Sequence, residues 1–141
     1  MTALSGPPSI RDVEEPKLGA IIELMFLAAF ADGDFGDDER AHFSKSIESL
    51  TDRRISGGAV EERVSRITAD LAREGRAARL ASVKARLGDH GSRKAALGLA
   101  IQVTAADGII RTSERELILE AALALDIDRD EAADLVTNLT H

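Results

Sequence analysis

The residues best suited to chemistry in this chain are acidic, and they recur at one fixed spacing. Ala31-Asp32-Gly33 with Glu39-Arg40 returns as Ala106-Asp107-Gly108 with Glu114-Arg115, every anchor displaced by 75 positions. The first copy, Asp32-Gly-Asp34-Phe-Gly-Asp37-Asp38-Glu39, places five carboxylates within eight residues. Such a local excess of negative charge is what a hard divalent cation with oxygen ligands would relieve. The second copy, from Asp107 to Glu114, keeps only those two carboxylates, so any cation there is held more weakly.

The same residues have a purely structural use. Asp32 and Asp107 can hydrogen-bond the turn backbone, Asp37 and Thr112 can cap the helix that follows, and Glu39 and Glu114 favour its positive end. Arg40 and Arg115 then supply compensating charge. Neither loop fits an EF-hand, because counting from Asp32 puts Asp37 at the glycine position and Phe43 at the glutamate position.

His42, His90 and His141 are scattered, and the chain has no cysteine, so there is no zinc signature, thiolate nucleophile or disulfide framework. No nucleophile stands beside a base and no glycine-rich loop follows a strand. A non-enzymatic protein is expected.

The motif sits inside a larger repeat. Laying residues 20–50 over 95–125 also matches Ala20 with Ala95, Leu24 with Leu99 and Leu50 with Leu125, and pairs Phe43 with Ile118 and Ile47 with Ala122. The chain therefore reads as an internal duplication of a helix-turn-helix unit. Two such units suggest a pseudo-two-fold arrangement in which each supplies the other's core.

The expected class is all-α, with seven helices and no strand. Residues 1–16 hold all three prolines and form a loose N-terminal segment, and residues 17–141 form one domain. Helices are expected from Lys17 to Ala31 and from Asp38 to Leu50, then through Val60, Val64, Ile67 and Leu71 to Glu74. A fourth crosses Leu80, Val83 and Leu87 and is closed by Gly88-Asp89-His90-Gly91. A fifth runs from Ser92 to Ala106, and a sixth starts on a Ser113/Glu116 capping box and ends near Leu125. Asp128 caps the last. The repeat units span about 17–50 and 92–125, with a basic insert at about 53–91.

The first and fifth helices, rich in alanine, are expected to cross at the centre, with Glu23 and Gln102 hydrogen-bonded or at the rim. The apolar run Leu18 to Ala31 is too short for a bilayer and contains Glu23. No secretion signal is legible at the start, so a cytoplasmic location is expected.

Net charge is −7, but it is unevenly spread. Residues 1–52 carry 11 acidic and 4 basic side chains, 53–94 carry 5 and 11, and 95–141 carry 9 and 3. The insert has no aromatic residue on which a base could stack, which argues against nucleic acid. Arg63, Arg66, Arg73, Arg76 and Arg79 are expected to form a solvated face that partly neutralises the acidic repeats.

A helical domain with Ala-Asp-Gly plus a glutamate seven residues after the aspartate, repeated near each end, resembles the TerB family of tellurite-resistance proteins. That family is related to the N-terminal domain of some membrane-anchored DnaJ co-chaperones. The resemblance spans about residues 17–140. It implies a metal site at Asp32, Glu39, Asp107 and Glu114, with Asp34, Asp37 and Asp38 as further candidates in the first loop. It also implies a divalent cation, for which calcium, magnesium and zinc are the candidates, and a bacterial stress-response role as an interaction or sensor module. A protein partner associated with a membrane, and a monomer or homodimer without a transmembrane segment, complete that expectation. The alternative is a scaffold recruited to a membrane complex through the basic insert, without metal.

Overall fold

A computed structural model of the chain describes residues 13–31, 36–104 and 111–139. Among these residues the protein is all α, with seven helices: α1 (Lys17–Ala29), α2 (Asp37–Leu50), α3 (Gly58–Glu74), α4 (Arg76–Leu87), α5 (His90–Thr104), α6 (Thr112–Ala124) and α7 (Arg129–Leu139). No described helix is long and apolar enough to cross a membrane.

The core is built on α1 and α5. Every residue from Ala20 to Ala28 is buried, as are Ala96 to Ile101. A helix apolar on all sides must be enclosed by others, and the remaining helices do this with one apolar stripe each. Val60, Val64 and Ile67 serve α3, and Leu80, Val83 and Leu87 serve α4. Phe26 of α1 meets Phe43 of α2 edge-on, with ring centroids 5.7 Å apart. Such a T-shaped pair sets the positive ring edge against the negative face.

Where α1 and α5 begin, the Lys17 ammonium donates to Ser92 Oγ at 3.0 Å. Where they end, Ala29 and Thr104 line one cavity. The two helices therefore lie side by side in the same direction along their length, which refines the expected central crossing.

Several boundaries differ from the periodicity, each for a local reason. Helix α1 stops at Ala29, with Phe30 outside helical geometry. Gly75 and Gly88 adopt φ of +88° and +83°, the left-handed conformation glycine takes without a Cβ clash, and separate α3, α4 and α5. His90 and Gly91 already belong to α5, because Asp89 caps it by accepting the Ser92 N–H at 2.6 Å. Helix α6 begins at Thr112 with Arg111 as its cap residue, so Ser113 and Glu116 do not form the capping box.

The repeat slips by one residue inside its second helix. Starts match at 75, Gly36 with Arg111, but ends match at 74. Asp52 and Asp126 both have positive φ, and the N–H of Arg53 and of Ile127 return to the carbonyls of Glu48 and Ala122. α2 has 14 residues and α6 has 13. Thr51, not Leu50, is thus the partner of Leu125, and both are fully buried.

Charge is distributed with a purpose the one-dimensional pattern hides. Glu23, 1% exposed, accepts from Arg79 Nε and Nη2 at 2.7 and 2.8 Å and also from Arg86. Arg79 is therefore not part of a solvated face. Its guanidinium is pushed further above its ordinary pKa, chiefly by the hydrogen bonds it donates to Glu23. Arg63 pairs with Glu15, Arg76 with Glu120 and Lys84 with Asp126, joining the insert to the acidic repeats. Arg66 and Arg73 pair within the insert, with Glu62 and with Asp70 and Glu74. Gln102 is half-buried at the rim.

Candidate functional site at the paired helix starts

The duplicated glutamates do one job in the same way twice. Glu39 Oε1 accepts the Gly36 N–H at 2.8 Å, and Glu114 Oε1 accepts the Arg111 N–H at 2.8 Å. Each is the third helical residue reaching back to the cap residue, which is one half of a capping box. Asp37 and Thr112 are first helical residues in α2 and α6, not their caps. Asp37, Asp38 and Glu39 crowd the first turn of α2, and Glu114 lies in that of α6, where the helix dipole favours negative charge.

The fold then brings the two starts together. A cavity of about 360 Å³ is lined by Ala29, Asp38, Glu39, His42, Phe43, Val103, Thr104, Arg111 and Glu114. Two pairs in this lining, Ala29 with Thr104 and Glu39 with Glu114, are repeat equivalents 75 positions apart. The cavity is thus where the C-terminal ends of α1 and α5 meet the N-terminal ends of α2 and α6. Carboxylates of Asp38, Glu39 and Glu114 share its wall with the Arg111 side chain, beside the apolar Ala29, Phe43 and Val103.

Of the sequence candidates, Asp38 and Glu39, both exposed, and half-buried Glu114 line this cavity, while Asp37, also exposed, lies outside its lining. Asp32, Asp34 and Asp107 lie outside the described residues. Among the described residues no group of three histidine or acidic side chains is arranged to hold a metal ion. His42, three residues after Glu39 on the same helix, lines the cavity as an exposed side chain, and Arg111, Val103 and Thr104 join it without having been sequence candidates. Applying the 75-residue offset to Ala29 would have found Thr104. His90 lies elsewhere, 3.3 Å from Glu131.

No curated protein and no solved structure matches the chain. Residues 18–137 match the family model described as Tellurite resistance protein TerB. That span covers most of the 141 residues, both repeat units and every lining residue of the cavity. The chain belongs to the TerB tellurite resistance family.

Proposed function

We propose that this TerB domain is a non-enzymatic interaction module of a stress response, and that the cavity between its paired helix starts is its binding site. The observation that carries this is the convergence of Glu39 and Glu114, equivalent residues of two copies, on one cavity. The side-by-side packing of α1 and α5 sets both acidic starts against one space, where a single ligand can meet both. The sensing element is a divalent cation, calcium, magnesium or zinc, held by oxygen ligands. Glu39 and Glu114 fit such an ion chemically, and Asp32, Asp34 and Asp107 are the further ligands the proposal requires.

Titration calorimetry of chelator-treated protein tests this with the Glu39→Gln, Glu114→Gln and Asp32→Asn variants. Glutamine at the third helical position keeps the capping bond while removing the charge, so a loss of binding reports on ligation, not on folding. Saturable binding that disappears in the variants is expected. No binding of any of the three cations, or binding the variants leave unchanged, would reject the cation.

A second reading, a scaffold recruited to a membrane complex without metal, is favoured by one observation. Both glutamates already have a structural task at their helix starts. Recruitment through the insert is tested by Arg66→Gln, Arg73→Gln and Arg76→Gln with anionic vesicles. Arg79 is left intact, because it is tied to buried Glu23.

A further inference from the structure

The cavity at the paired helix starts offers more than a metal ion uses. Its volume is about 360 Å³, against roughly 30 Å³ for a water molecule. Part of its lining is apolar, from Ala29, Phe43 and Val103, and part is carboxylate, from Asp38, Glu39 and Glu114. An aliphatic stem ending in a positive head matches such a lining, because its methylenes cover apolar surface while the charge reaches an acid.

A guanidinium suits these acids better than an ammonium. Its planar fork of donors can engage carboxylate oxygens in pairs, and it is the more weakly hydrated of the two cations. The capping bonds do not exhaust the glutamates: Glu39 and Glu114 each accept one helix-start N–H, and a carboxylate offers about four lone-pair sites. The described lining sets three carboxylates against the single guanidinium of Arg111.

We propose that this cavity receives an arginine side chain from a basic segment of a partner protein, its methylenes against the half-buried Ala29 and Val103 and its guanidinium on Glu39 and Glu114. This rests on the reading of the cavity as the binding site and does not require a metal there.

The test is an NMR titration of the isotopically labelled protein with the blocked tripeptide Gly-Arg-Gly, with blocked Gly-Gln-Gly as control. Saturable shifts of the Val103 and Ala29 methyls are expected with the arginine peptide. Glu39→Gln with Glu114→Gln, or either substitution alone should the double variant fail to fold, should weaken binding by about tenfold or more, the scale of lost charge-assisted hydrogen bonds. The inference is overturned if the shifts do not saturate, or scatter over exposed acids such as Glu62 and Asp130. Equal binding of the glutamine peptide or of a folded variant would overturn it as well. Parallel calorimetry separates the two proposals. A divalent cation that binds where the arginine peptide does not overturns this inference alone, while peptide binding without cation binding supports it and rejects the cation.

Discussion

Lys17 and Ser92 hold the same place in the two repeats, 75 residues apart, and they touch: the ammonium donates to the hydroxyl at 3.0 Å. Ala29 and Thr104 repeat the relationship at the far end of the same helices, where they line one cavity. Helices α1 and α5 therefore run in the same direction with their repeat equivalents in register, and the candidate site lies where both end.

Asp89 links the Lys17 end to pH. Its carboxyl is held down to about 2, first by the Ser92 backbone N–H and then by the Ser92 and Lys17 side chains. A carboxyl depressed in the folded state stabilises above its unfolded value of about 4, and that contribution is lost as pH falls through about 2. Asp89→Ala should lower the melting temperature at pH 7, with the difference from the parent closing between about pH 4 and pH 2. Thermal melts followed by circular dichroism at both ends of that window check it.

Glu23 should be the most sensitive charge in the protein. Glu23→Gln removes the anion that Arg79 and Arg86 share, leaving Arg79 with Glu74 at 3.1 Å and Asp70 at 3.8 Å. The loss of hydrogen bonds to a charged group should cost about 1.5 to 3 kcal/mol. Glu120→Gln breaks the exposed pair with Arg76 and should cost no more than about 1 kcal/mol. Urea denaturation of the two variants side by side measures the contrast.

At the helix starts, alanine and glutamine should separate structure from charge. Glu39→Ala and Glu114→Ala each lose the back-bond to the cap residue and should cost about 1 kcal/mol, whereas the glutamine variants should stay within about 0.5 kcal/mol of the parent. Equal losses in the two copies are expected because both bonds measure 2.8 Å. Chemical denaturation gives these values, and a large asymmetry between copies would contradict the shared geometry.

Thr51 marks the place where the copies diverge. Its hydroxyl donates to the Ile47 carbonyl at 2.7 Å and accepts the Ile55 N–H at 3.3 Å, all of it buried. Thr51→Val keeps the shape and leaves the Ile55 N–H unsatisfied, which should cost about 1 to 3 kcal/mol. Stability measured by urea, with amide exchange at Ile55, should show both the loss and its location.

Helix number and type were legible from the chain alone, because periodic apolar residues such as Val60, Val64 and Ile67 and turn glycines such as Gly75 and Gly88 act locally. The duplication was legible too, since Asp32 and Asp107 keep identical neighbours at one spacing. What Glu39 and Glu114 bond was only half legible: their place at a helix start follows from spacing, but the choice of Gly36 and Arg111 as cap residues depends on where each turn lets the helix begin. The burial of Arg79 against Glu23, 56 residues away, was not legible, because an arginine on a basic helix has the same local sequence whether it meets water or a buried acid. The shared cavity also belongs to the tertiary structure alone. A 75-residue offset states that two sites are alike, and only the parallel packing of α1 against α5 decides that they face each other.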